Sequence, residues 1–141
     1  MLAAEPARSL AVVTCMDCRI DPMPLFGLEL GDAHVIRNAG GLVTDDVLRS
    51  LALSQALLGT REVIVVQHTG CGLLGDEHEL RARVSEAAGA EPPRPLGAFS
   101  DLDASVRRQL ERLRSAPELV HGGAARGYVY ELETGELRQV R

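Results

Sequence analysis

Nowhere does the chain of 141 residues approach the roughly 18 consecutive apolar residues that a bilayer-spanning helix needs, which excludes such a helix from it. Its amino terminus carries Glu5 ahead of the first arginine and has no long apolar core, so no signal peptide is expected. Lysine is absent: all 15 basic residues are arginines, set against 20 acidic ones for a formal net charge of -5. Arg8, Arg19, Arg37, Arg49 and Arg61 are scattered, which leaves no general attraction to nucleic acid or anionic lipid. The densest group, Arg107, Arg108, Arg112 and Arg114, alternates with Glu111 at helical spacing and reads as a solvated helix face. Cysteine is scarce, and three is an odd number, which suits free thiols or metal ligands in a reducing cytoplasm better than a disulfide framework.

What remains is ordinary globular material, 45% hydrophobic and 25% charged, and its length fits a single domain, residues 1–141. Leu10 to Cys15 is a continuous apolar run of the kind covered on both faces in parallel sheets. Asp21-Pro22 marks a turn, Met23 to Leu30 can form a short helix closed by Gly31, and Ala33 to Arg37 is a second strand. Asn38-Ala39-Gly40-Gly41 then turns the chain. Thr44 can cap a helix whose apolar positions, Val47, Leu48, Leu51 and Leu58 among them, recur at three and four residues until Gly59.

Glu62 to Gln67 is the most β-branched run and the best candidate for the central strand. Asp76 and Glu79 have capping-box spacing ahead of a helix with Leu80, Val84, Ala87 and Ala88 on one face, ending near Gly89. Glu91 to Gly97 holds three prolines and must be a loop. Ser100 can cap a further helix striped by Leu102, Val106, Leu110 and Leu113, and Gly127–Glu133 with Leu137–Val140 forms a closing hairpin. The order predicts an α/β fold: a mostly parallel central sheet flanked by helices, with an antiparallel edge hairpin at the carboxyl terminus.

In such sheets ligands sit at the carboxyl ends of strands. Cys15 closes the first strand, and His68 and Cys71 lie just beyond the later one. Two thiolates and an imidazole match a catalytic zinc site with three protein ligands and a fourth position for water. Asp17 can stand beside that position, with Arg19 holding its carboxylate ionised and oriented. Cys18 opens other readings: a closed Cys₃His structural site, a thioredoxin-like Cys15-Met-Asp-Cys18 dithiol, or buried cysteines without a metal. Of the other histidines, His34 reads as a packed or edge residue, His78 as a surface residue, and His121 lies in a Gly-rich loop; Arg37 reads as a buried ion-pair partner supporting the site.

Cys15-x-Asp17-x-Arg19, the Arg37-Asn38-Ala39-Gly40 turn and His68-Thr69-Gly70-Cys71-Gly72 occur in the order and approximate separation found in the β-class carbonic anhydrases. The resemblance runs from Leu10 to Val140 and is nearest to the short bacterial members. It implies that Cys15, His68 and Cys71 bind one Zn²⁺ per chain, that Asp17 and Arg19 form a catalytic dyad in which Asp17 either leaves room for water or ligates the metal, and that Gly40 lies at the substrate pocket. It further implies reversible hydration of carbon dioxide to bicarbonate and a homodimer that packs the pocket against its partner. A hydrolase of carbon disulfide or carbonyl sulfide, or an idle zinc protein, would share the architecture. The chain departs from the family in having only about nine residues before the first strand, no tryptophan, four Phe and Tyr in total, and Cys18 where a small serine or alanine is usual.

Overall fold

A computed structural model describes residues 1–141. Strand β1 (Leu10–Cys15) is buried along its whole length because it is paired on both sides, parallel to β2 (Ala33–Asn38) and to β3 (Glu62–His68). Parallel β4 (Ala125–Tyr130) extends the sheet beyond β3, and antiparallel β5 (Leu137–Val140) closes it, giving the order β2-β1-β3-β4-β5. This is the expected mostly parallel sheet with a carboxyl-terminal hairpin, and its middle strand is β3.

The pleat divides the apolar strands between two cores. Ala11, Val13, Val63 and Val65 face helices α2 (Asp45–Leu58) and α4 (Leu102–Ser115), whose Val47, Leu51, Val106 and Leu113 are buried against them. Leu10, Val12, Ile64 and Val66 face the other way, onto Leu28 and the short helix α1 (Pro22–Leu25), where Phe26 meets Tyr128 edge to face. Cover on both faces is why these strands lack the alternation of a half-exposed sheet.

Local signals account for the helix ends. Thr44 Oγ1 accepts the Val47 N–H at 3.3 Å at the start of α2, and Gly59 ends it in the left-handed conformation. Helix α3 (Glu77–Ala88) is capped by Asp76 and stopped by Gly89. Three expectations need correction. Helix α1 stops at Leu25 instead of reaching Leu30, because Gly27 turns the chain at a φ of 60° and sends Leu28 into the core. Asp101, not Ser100, caps α4, its Oδ1 accepting the Ala104 N–H at 3.0 Å. Strand β4 lies earlier than Gly127–Glu133 because Glu131 is already in the turn, bonded to Glu136 and Gly135.

Candidate metal centre

The parallel register sets Thr14 beside Val66, so β1 and β3 finish at the same edge of the sheet. Cys15 is the last residue of β1 and His68 the last of β3, and the turn through Gly70 returns Cys71 to them. One ligand atom from each of the three lies within 4.8 Å of the others, and all three residues are buried. The two sulfurs are 3.9 Å apart, matching the about 3.8 Å between two sulfurs at zinc bonding distance from a common tetrahedral centre. His68 Nδ1 lies 2.7 Å from the Thr69 carbonyl, so it carries the proton and leaves the Nε2 lone pair facing the sulfurs. That Nε2 is fully buried with no hydrogen-bond partner, a position that a metal ion satisfies. The residues therefore fit one Zn²⁺.

Backbone N–H groups support the sulfurs, Gly40 donating to Cys15 Sγ at 3.3 Å and Leu73 to Cys71 Sγ at 3.5 Å. Without a cation these donors are insufficient: burial pushes the Cys71 thiol up to about 11. A divalent ion removes that penalty, so metal binding and loss of the thiol protons are one event.

Asp17 and Arg19 form the expected pair. Arg19 Nε donates to Asp17 Oδ1 at 2.9 Å and Nη2 to Oδ2 at 2.7 Å, while the Arg19 backbone N–H reaches Oδ1 at 2.8 Å. These donors hold the Asp17 carboxyl well below the usual carboxylate range, and the carboxylate in turn raises the Arg19 guanidinium. Arg19 Nη2 also donates to Gly70 O at 2.9 Å, which ties the pair to the turn between His68 and Cys71. Asp17 Oδ2 lies 3.7 Å from His68 Nε2, beside the triad.

Arg37 does not make the ion pair expected of it. Its guanidinium donates to the carbonyls of Cys15 (2.9 Å), Asp17 (2.8 Å) and Ile20 (3.1 Å), so one side chain fixes the whole loop that carries the first ligand and the dyad. Sequence reasoning also missed Gln67, fully buried, whose Nε2 donates to Gly40 O at 2.9 Å. A glutamine closing the most β-branched run of the sequence is the available signal. Gly41 is the more constrained of the glycine pair: at a φ of 63°, a Cβ there would lie 2.9 Å from Val66 O and 3.0 Å from Cys15 N. Gly40, at a φ of 86°, would drive a Cβ to 2.6 Å from Leu73.

Cys15, Asp17, Gly40 and Cys71 open onto one cleft of about 570 Å³, otherwise lined mainly by apolar side chains such as Met16, Leu73, Leu80, Val84 and Leu96. Cys18 is exposed and stands outside the ligand cluster, and the sulfur facing Cys15 belongs to Cys71, so neither the closed Cys₃His site nor the dithiol is formed. The other histidines lie away from the cleft: His34 bonds Ser54 and the Ala4 carbonyl, His78 is exposed, and the His121 backbone bonds Gln55.

The family model described as carbonic anhydrase matches residues 10–90, the span that contains every residue of the triad, the dyad and the glycine turn. The chain is 41% identical over 140 residues to β-carbonic anhydrase 1 of Mycobacterium tuberculosis, covering 99% of this chain and 86% of that protein. It superposes on the crystal structure of carbonic anhydrase from Streptococcus mutans with a TM-score of 0.95 and 38% identity, covering 100% of this chain and 86% of that one. It is also 37% identical over 157 residues to a carbon disulfide hydrolase of Acidianus, covering 94% of this chain and 77% of that protein. With strand-end thiols and imidazole grouped for one ion, an aspartate–arginine pair beside them and full-length likeness in sequence and shape, the chain belongs to the β-class carbonic anhydrase family.

Proposed function

We propose that the protein catalyses the reversible hydration of carbon dioxide to bicarbonate, with one Zn²⁺ held by Cys15, His68 and Cys71. The observation that carries this reading is the Asp17–Arg19 pair set beside the triad in an open, apolar cleft. A purely structural metal site has no use for an oriented carboxylate next to the ion. When bound, Zn²⁺ supplies the Lewis acidity that makes water a nucleophile at neutral pH.

The remaining work falls to the chain's own groups. Ionised Asp17 has only acceptor lone pairs to offer, so it takes a hydrogen bond from reactant water and turns that water's oxygen toward the cleft. Arg19, fixed to Gly70 O, keeps the carboxylate from rotating. The mainly apolar walls admit a small neutral molecule, and Arg83 on the same lining offers a cation to the bicarbonate product. No histidine lines the cleft, so the proton passes directly to buffer.

The zinc-loaded protein should hydrate carbon dioxide in a proton-release assay. Asp17→Asn should keep its zinc and lose roughly 10- to 100-fold of that activity, as removal of a group that orients a metal site typically does. Unchanged hydration in that variant would remove Asp17 from the mechanism. Turnover of carbon disulfide or carbonyl sulfide with none of carbon dioxide would move the protein toward the carbon disulfide hydrolases among its relatives. We further propose a cytoplasmic homodimer, supported by the free thiol ligands and by the apolar face of α3 that borders the cleft with Val84 41% exposed. No helix is long and apolar enough to cross a membrane.

A further inference from the structure

Helix α3 buries none of its residues, yet Leu80 and Val84 form a side of the cleft. A set of polar contacts with the loop that follows holds it in place. Glu77 Oε2 accepts the Leu96 N–H at 2.9 Å, and Oε1 accepts those of Gly97 and Ala98, both at 2.9 Å. One turn further on, Arg81 donates to Pro92 O at 2.7 Å and Arg94 O at 2.6 Å. Pro92, Pro93 and Pro95 have no N–H of their own, so few backbone donors exist by which this loop can be fastened. Three successive ones go to a single carboxylate.

The far end of the loop is joined to the metal centre. Phe99 N–H donates to Leu73 O at 3.1 Å and Gly75 N–H to Phe99 O at 3.0 Å, linking the loop to the segment that begins at Cys71. Leu96 lines the cleft together with Leu73 and Gly40. The path from Cys71 through the Asp76 cap to Glu77, across to Leu96–Ala98 and back through Phe99 to Leu73 is thus a closed circuit, and Glu77 is its polar fastening.

We propose that Glu77 is a positioning residue that sets the width of the substrate cleft by fixing Leu96 against the loop that carries Cys71. The proposal deepens the carbon dioxide reading and rests on it. The same three N–H groups hold the Glu77 carboxyl below its ordinary range, so the fastening is fully charged at neutral pH.

The test uses the full-length, zinc-loaded protein and the variants Glu77→Gln, Glu77→Ala and Leu96→Ala, with zinc content checked in each. In Glu77→Ala, KM for carbon dioxide should rise about 5- to 10-fold while kcat stays within about twofold, the pattern of lost substrate binding rather than lost chemistry. Glu77→Gln should fall between, since its one carbonyl oxygen still serves Gly97 and Ala98. Leu96→Ala should reproduce the KM change, and combining it with Glu77→Ala should add little, because both act through the same wall. Amide exchange at Leu96, Gly97 and Ala98 should accelerate in Glu77→Ala and not in Leu96→Ala. Faster exchange with an unchanged KM, or unchanged exchange, overturns the proposal. Should Glu77→Ala fail to fold, Glu77→Gln and Leu96→Ala decide it by the same criteria. A wild-type protein inactive toward carbon dioxide sinks the functional reading itself, a result plain before any variant is made.

Discussion

Cys15, Cys71 and Cys18 are the same chemical group in different settings, and the settings forecast different results for one substitution. Replacing Cys15 or Cys71 by serine removes a ligand from a buried centre, and because metal binding is coupled to folding, both zinc content and melting temperature should fall. Cys18→Ser, at an exposed position outside the cluster, should change neither. Metal analysis with thermal melts of the three variants checks this, and zinc loss from Cys18→Ser would restore the closed-site reading. The ligands were legible as residue types at strand ends. The partners of Arg37 and Gln67 are not, because they are carbonyls brought to those side chains from distant parts of the chain, which no local pattern encodes.

At the level of elements, α4 and the terminal hairpin are joined by a charged fork. Arg138 donates to both Asp103 oxygens, at 2.7 and 3.0 Å, and approaches Glu131 at 3.4 Å. The Arg138 guanidinium lowers the Asp103 carboxyl below its ordinary value. A depressed carboxyl stabilises the fold above its unfolded pKa, near 3.9, and that contribution disappears as pH falls through the folded value. With the two side chains 34% and 39% exposed, the effect is at most about 1 kcal/mol. The urea midpoint of the wild type should therefore decline from pH 5 to pH 3 more steeply than that of Asp103→Asn. Parallel curves would mean the fork contributes nothing measurable.

The same scale shows why some boundaries were readable. Thr44, Asp76, Gly59 and Gly89 act on neighbours within a turn, so the ends of α2 and α3 follow from sequence. Helix α1 falls short of Leu30 because the Gly27 turn sends Leu28 onto Leu10, Val12, Ile64 and Val66, strand residues whose meeting with Leu28 no local pattern encodes. The apolar stripe expected on α3 is present in Leu80, Val84 and Ala87, which border the cleft.

For the whole molecule, that stripe bears on assembly. If a second copy covers it, light scattering should give twice the chain mass, and Val84→Asp should shift the population toward monomer with zinc content unchanged. A wild type that stays monomeric at all accessible concentrations would contradict the dimer.

The register that brings Cys15 beside His68 carries a consequence for time as well as place. The two ligands are separated by more than fifty residues, including helices α1 and α2 and strand β2, and meet only once β1 and β3 have paired side by side. Parallel pairing of distant segments is slow, and an ion whose grip needs both cannot hasten it. Zinc should thus leave the refolding rate nearly unaltered and lengthen the lifetime of the native state, so that stopped-flow chevrons with and without the ion share a folding limb and part on the unfolding one.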